Sequence, residues 1–489
     1  MATFTGNSRR PMPRHHQPKG IMNKLSTTRR DFLKKSALGA GAVIAGVKSA
    51  SATKVVRHKA ATIAPVLGAN DQIIAGFIGV GGQGYQSHLL NVINMNSKGA
   101  PRHDIQLNAV GAAACDLYSV RRDRAWKSLD DARASAGRDA KVTVHEDYRE
   151  LLENKDIDAI FIGTVDHWHT QIAIDALDAG KHVYCEKPMT RYMMEGFQIY
   201  DKVMETGLKF QIGSQFCSEG KWHTAANLIR NGKIGPLVLA QDSYMRNSPD
   251  GEWNYYKLED ELVPGKTIDW SKWLGPVSDR EFNPQHFHRW RKYYPYCAGI
   301  LGDLLAHRIH PLLIATGAPE FPKRVCSVGN KTITDNQLGA EDRDVTENCQ
   351  ILTEFPSGLC MLITGSSVNE QGLPQVIRGQ EGTLYFGGGR VELRPERPFA
   401  DLVDAELHEN ITPGVSIPAH IDDFFSAIRD DRPANGNIDV AVKCQTIISM
   451  AEMSERLGEM LYFDEDTRTL STGSGKTVEP ITYGTLEIS

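Results

Sequence analysis

The 489-residue chain has no Cys-x-x-Cys pair and no His/Cys cluster at zinc-ligand spacing. Its eight cysteines, at 115, 185, 217, 297, 326, 349, 360 and 444, are scattered, which argues against both a disulfide scaffold and a structural metal. No internal repeat, low-complexity tract or heptad run follows residue 53, so solenoids and coiled coils are excluded. A basic excess is missing too: 55 Lys and Arg face 60 Asp and Glu, a net charge of −5. Residues 1–52 hold ten of the basic groups and one Asp, so the rest of the chain carries 45 against 59, a net −14. Nucleic acid is therefore not the expected partner.

The N-terminus reads differently from the remainder. Thr28-Arg29-Arg30-Asp31-Phe32-Leu33-Lys34 precedes a small-residue apolar run at 36–47, and Ala50-Ser51-Ala52 supplies an A-x-A cleavage pattern. Twelve weakly apolar residues are too few for a hydrocarbon core, which needs about 20, so the run is an export signal rather than a span. Paired arginines specify the twin-arginine route, hence a periplasmic or otherwise exported protein. Such a chain crosses already folded from a reducing cytosol, and its thiols are expected to be free and mostly buried.

After a signal at 1–52 and a linker at 53–70, an apolar run at 73–78 opens an alternating pattern. Strands are expected at 73–78, 106–114, 141–145, 157–163 and 181–185. Helices are expected from Gln83 and at 118–135, 147–153 and 167–179. The fold class is therefore α/β, a doubly wound Rossmann domain over 71–190. Helix 190–206, strand 208–213 and helix 219–231 follow, the last stopped by Gly232-Lys233-Ile234-Gly235-Pro236. Longer strands at 238–244, 325–331, 347–355, 360–366, 375–378 and 383–386 then predict an α+β domain with a large, mostly antiparallel sheet over 191–460. Helices at 418–429 and 440–457 are expected to pack back on that sheet, and 461–489 is read as a tail.

Gly79-Val80-Gly81-Gly82-Gln83-Gly84 is a G-x-G-x-x-G between the first strand and the first helix, where backbone N–H groups and the helix N-terminus meet a pyrophosphate. Asp116, at the end of the second strand, can accept ribose hydroxyls and repel a 2′-phosphate, which favours NAD. Arg121 and Arg122 keep NADP as the alternative. Thr164 to His169 end the fourth strand, facing the ligand crevice; Asp166 there either lines the crevice or caps the next helix. Cys185-Glu186-Lys187-Pro188 closes the fifth strand, so Lys187 is placed against bound cofactor. Asp303 and His307 stand at i and i+4, on one face of an expected helix.

With Gly299-Ile300-Leu301-Gly302-Asp303-Leu304-Leu305-Ala306-His307 added, these motifs together resemble the Gfo/Idh/MocA oxidoreductases over about residues 71–460. The resemblance implies catalytic roles for Lys187, Asp303 and His307, with Lys187 beside the nicotinamide and the reacting hydroxyl. It implies cofactor contacts from Gly79, Gly81, Gly82, Gln83, Gly84, Asp116, Thr164, His169, Glu186, Lys187 and Gln215, and no metal. Two features depart from it: Cys297-Ala298-Gly299 stands where many exported relatives have three glycines, and His310 competes with His307 for the site. Trp270, Trp273, Trp290, Tyr293 and Tyr294 are candidates for stacking on sugar rings, though core or interface packing is the commoner role of such residues, and they stay outside the catalytic set.

The resulting expectation is an NAD(P)-dependent enzyme acting on a CH–OH group of a sugar, sugar acid, cyclitol or glycoside. Export implies a non-dissociating cofactor that is recycled in place. The alternatives are a redox-neutral glycoside hydrolase or epimerase using transient oxidation, and a silent sugar-binding protein. A homo-oligomer, dimer or tetramer, is expected through the open face of the second sheet.

Overall fold

A computed structural model describes residues 72–96, 98–137, 141–331, 333 and 342–485. The expected export signal, linker and domain start at 71 lie outside the described residues. Six parallel strands form the first sheet: β1 (Ile73–Ile78), β2 (Ala109–Cys115), β3 (Thr143–His145), β4 (Ala159–Ile162), β5 (His182–Cys185) and β6 (Phe210–Ile212). Their order, β3-β2-β1-β4-β5-β6, is the doubly wound one, with its switch point between β1 and β4. β1 and β4 are apolar and buried almost throughout, as strands covered on both faces must be. β6 carries the parallel sheet past the boundary expected at residue 190.

The second sheet has twelve strands among the described residues. These are β7 (Leu237–Asn247), β8 (Arg324–Asn330), β9 (Asn348–Glu354), β10 (Cys360–Ser366), β11 (Val368–Asn369), β12 (Val376–Gly379), β13 (Gly382–Gly387), β14 (Arg390–Pro395), β15 (Glu406–His408), β16 (Leu461–Asp464), β17 (Thr469–Thr472) and β18 (Thr477–Val478). Among its described pairings only β7 with β10 is parallel. All eight cysteines are free, and six are buried.

Two expectations change here. The described part of the expected tail, 461–485, is not a mere tail: β16 pairs with β8 and extends the sheet through β17 and β18. Beyond them Tyr483 packs its ring on Tyr192 and donates to Glu195 at 2.9 Å. The closing helices also divide. Helix Ile438–Leu457, capped by Asn437 and stopped by Gly458 at φ +69°, packs on β8 as expected. Helix Ile417–Arg429 instead buries Ile421, Phe424, Phe425 and Ile428 in the Rossmann core, with Phe424 and Phe425 edge-on to Phe161 of β4. An amphipathic stripe dictates that one face be buried, and the nearest uncovered apolar sheet face receives it.

Candidate active site

The glycine loop leaves β1 at Gly79, whose φ is +80° and where a Cβ would stand 2.6 Å from Thr164 N. A Cβ on Gly84 would approach the Gly79 carbonyl oxygen to 1.9 Å. Both positions therefore require glycine so that the loop can close on the end of β4. Gly82 has open space around it, and the Arg121 guanidinium lies 3.1 Å from where a Gly81 Cβ would be. The helix that follows is π-helical over Gly84–Leu89, and the N–H groups of a first helical turn have no intrahelical acceptor. Those groups lie on the stretch that lines a cavity of about 880 Å³, the place for a diphosphate.

Asp116 fixes this loop from β2. Its Oδ2 accepts the Val80 N–H and its Oδ1 the Tyr118 N–H, each at 2.9 Å. A carboxylate oxygen accepts two hydrogen bonds, so both retain a lone pair for ribose hydroxyls. The two arginines separate: Arg122 donates to the carbonyls of Asp116 and Leu117 at 2.7 and 3.1 Å, whereas Arg121 lines the cavity, 4.8 Å over the Phe287 ring.

Glu186 links the loop to the catalytic end. Its Oε1 accepts from Gln83 Nε2 at 3.0 Å and stands 2.8 Å from His88 Nε2. Burial favours the neutral acid, but His88, Lys187 and Gln83 outweigh it and hold the carboxyl at about 2. The turn after Glu186 is anchored from both domains. His169 Nδ1 stands 2.9 Å from the Pro188 carbonyl oxygen, and the Thr190 N–H donates to Gln445 at 3.3 Å. Arg191 makes a fully buried bidentate pair with Glu452, 2.7 Å on each side.

Lys187 Nζ donates to Asp303 Oδ1 and to the Asp303 carbonyl oxygen, both at 2.7 Å. Asp303 Oδ1 also accepts Arg291 Nε at 2.8 Å, and Oδ2 accepts Trp253 Nε1 at 3.4 Å. Burial opposes charge on all of these groups. The two cations nonetheless hold Asp303 well below the carboxylate range, and Asp303 lifts Lys187 above its ordinary value. His307 Nδ1 lies 3.4 Å from Ser214 Oγ. Burial, then the Lys187 charge, push its imidazole well below 6.5, so it is neutral at pH 7.

The cavity wall carries Gly79, Gly81, Gly82, Gln83, Asp116 and Thr164, together with Glu186, Lys187, Gln215, Asp303 and His307. Two expected cofactor contacts fall elsewhere. Gly84 serves helix-to-strand packing, and His169, one turn into helix Asp166–Asp178, points back to the Pro188 turn. The expected single helix bearing Asp303 and His307 is two, Ile300–Asp303 and Ala306–Ala315, joined by a bend at Leu304 and Leu305. Both side chains still reach the cavity. His310 is fully buried outside its lining, so of the two histidines it is His307 that lines the cavity. Gly299, at φ +61°, would place a Cβ 2.5 Å from Val345, so the last glycine before this helix is the obligatory one. Of the aromatic candidates, Trp273 and Trp290 line the cavity, and Trp270, Tyr293 and Tyr294 do not.

Three residues outside the expected set complete the site: Arg291, Trp253 and Ser214. Asp166 joins them. It begins its helix rather than capping it, lines the cavity, and leaves Oδ2 without a hydrogen-bond partner. Burial pushes its carboxyl up to about 7 against the pull of Arg291 and Lys187.

Comparison with known families decides what this arrangement is. Residues 73–214 match the Gfo/Idh/MocA model described as an oxidoreductase family, NAD-binding Rossmann fold, and 250–477 match its C-terminal alpha/beta domain. The chain belongs to the Gfo/Idh/MocA oxidoreductase family. Its first domain is the family's NAD-binding domain, and the open glycine loop, Asp116 and the helix N-terminus fit that dinucleotide. Among curated relatives, alpha-N-acetylgalactosaminidase of Shewanella oneidensis is 28% identical over 274 residues, 51% of this chain and 54% of that protein. A glycosyl hydrolase family 109 protein of another Shewanella is 27% identical over the same shares. The chain thus spans about half the length of the curated relatives it matches. The fold is shared with levoglucosan dehydrogenase in complex with NADH and levoglucosan, at TM-score 0.58 and 19% identity over 80% of this chain and 99% of that one. It is also shared with aldose-aldose oxidoreductase from Caulobacter crescentus, at TM-score 0.56 and 16% identity over 80% of this chain and all of that one, 100%.

Proposed function

We propose that this oxidoreductase acts on a secondary hydroxyl of a sugar, sugar acid, cyclitol or glycoside, with a nicotinamide cofactor that stays bound between turnovers. One observation carries the reading: the Lys187–Asp303 pair and neutral His307 share a cavity with the glycine loop. A bound nicotinamide dinucleotide, held by Gly81 to Gln83 and Asp116, would supply hydride acceptance and return. His307, whose Nε2 has no hydrogen bond among the described residues, takes the hydroxyl proton. Lys187, fixed as an ammonium with one N–H beyond its two bonds to Asp303, stabilises the oxygen as it gains alkoxide character. A silent binding protein would have no need of this buried charge arrangement.

Retention is supported by the second domain, which crosses the crevice. The Ser119 N–H donates to the Thr267 carbonyl at 2.9 Å, Lys272 pairs with Glu146 at 3.0 Å, and Trp168 Nε1 donates to the Trp273 carbonyl at 2.9 Å. Retention also suits export by the twin-arginine signal read at residues 28–52, because the cell envelope offers no expected pool of free nicotinamide. Denaturing the purified protein and assaying the supernatant tests this: NAD, rather than NADP, should appear at near one per chain. Absence of nucleotide would sink the retained-cofactor reading.

A second reading is redox-neutral glycoside cleavage, favoured by the glycosidase names of the curated relatives and by the same strapped crevice, since hydride would return to the molecule it left. Nitrophenol release from nitrophenyl glycosides without added cofactor would select it. We further propose a homo-oligomer through the outer face of the second sheet. Leu352, 46% exposed, stands between Cys326 and Leu362 of the neighbouring strands, and Val328 is 65% exposed. Light scattering of the parent and of Leu352→Glu should show an oligomer that falls to monomer.

A further inference from the structure

Tyr255 and Tyr256 are the most exposed tyrosines among the described residues, at 58% and 38%. Both line the catalytic cavity, so their exposure places them at its mouth. Their ring centroids are 4.8 Å apart with the planes tilted by 44°. The chain reaches them directly from the catalytic carboxylate, since Trp253 donates to Asp303.

The rings are held out rather than left loose. Arg289 donates to the Asn254 carbonyl at 2.6 Å and to the Tyr256 carbonyl at 3.0 Å, and Lys292 Nζ donates to Asn254 Oδ1 at 3.1 Å. The Tyr255 hydroxyl donates to Glu252 at 3.0 Å, and Glu252 is buried and paired with Arg246 at 2.7 Å. A braced loop that keeps two large apolar faces in water forgoes their burial, and that cost is recovered when a ligand covers them.

The ligand chemistry follows from the surroundings. The nearby guanidiniums, Arg246 and Arg291, are already paired with Glu252 and Asp303, so neither is free to hold an anion. Adjacent aromatic faces suit the C–H face of a pyranose, and Lys257, which lines the same cavity, offers a donor for its hydroxyls. We propose that Tyr255 and Tyr256 form an outer sugar subsite, so that the substrate is a glycoside with at least one ring beyond the ring held at Lys187 and His307. The inference rests on the carbohydrate reading above and specifies its substrate class.

Calorimetry on the purified holoenzyme, with methyl pyranosides and the disaccharides that carry the same terminal ring, tests it. For the ring type that binds, the disaccharide should bind about tenfold tighter, and Tyr255→Ala and Tyr256→Ala should each erase most of that ratio. Tyr255→Phe, which keeps the ring, should preserve it. Equal binding of short and long ligands by the parent, or a ratio in the alanine variants within about twofold of the parent's, would overturn the subsite. Should the variants fail to fold, saturation-transfer NMR on the parent decides: saturation from aromatic protons should reach the outer ring, and saturation confined to the inner ring overturns the proposal. Failure of every pyranoside and disaccharide to bind is a different result, which removes the carbohydrate reading and the subsite with it.

Discussion

Lys187 Nζ holds both the side chain and the main-chain carbonyl of Asp303, 116 residues further along, at 2.7 Å each. The Rossmann turn and the second-domain helix are thereby locked to one another on the wall of the cavity that the glycine loop also lines. Arg291 meets the same carboxylate oxygen, so a single anion neutralises two buried cations.

Replacing that anion should be costly in two ways. Asp303→Ala leaves Lys187 and Arg291 buried, close and unpaired, for which about 3–5 kcal/mol of stability should be lost in denaturant unfolding at pH 7. Turnover should fall by ~10²–10⁴, because the ammonium is no longer held charged and in place. Loss of turnover without loss of stability would show that the pair is not structural.

His307 should be a neutral base throughout the physiological range. Its pKa is depressed by burial and by Lys187, so protonation sets in only far below 6.5. Long-range ¹H–¹⁵N spectra should show a neutral imidazole at pH 6, where an unperturbed histidine is mostly protonated. His307→Ala should lower turnover by ~10²–10⁴ while the nucleotide stays bound. A signal that titrates at 6.5 would contradict the geometry.

The legible parts of this site were those with local grammar. Gly79 to Gly84 follow a buried strand and open a helix, and Lys187 ends the strand of a repeating unit, so sequence alone placed both at the crevice. Asp303 and His307 were legible as a pair, though not the bend between them, because no proline or glycine marks Leu304 and Leu305. Arg191 and Glu452 are 261 residues apart, and a pair at that separation leaves no spacing pattern to read. His169 misled for a different reason: its position near a strand end was clear, but the helix rotation that turns its ring onto Pro188 is set by packing. Helix Ile417–Arg429 announced an apolar stripe without saying which sheet would receive it.

Asp116 should govern nucleotide retention before it governs cofactor choice. Its carboxylate satisfies the N–H groups of Val80 and Tyr118, and removing a partner from a buried donor costs about 1–3 kcal/mol. Asp116→Ala should therefore loosen the glycine loop and yield protein with markedly less bound nucleotide, measured by absorbance of the denatured supernatant. Unchanged nucleotide content would mean that the loop is held by the glycine packing alone.

Stability should depend on pH through two opposed sets of buried groups. Burial lowers His167 and His310 to about 3 and His169 and His182 to about 4. The unfolded chain then binds more protons below 6.5, and each group withdraws about 1.4 kcal/mol per pH unit on acidification. These four groups therefore destabilise the fold as the pH falls below 6.5, against the raised carboxyls of Asp166, Glu195, Asp242 and Glu455, which stabilise it over the same range. Asp166 works in the other direction. Its raised value, about 7, means that its contribution is full below the unfolded pKa and disappears as the pH rises through 7. Asp166→Asn should therefore stabilise the protein more at pH 8 than at pH 5.5, by about 2 kcal/mol in denaturant unfolding. A gain that does not change with pH would show that the Asp166 carboxyl is charged in the folded protein throughout, and that Arg291 and Lys187 outweigh its burial.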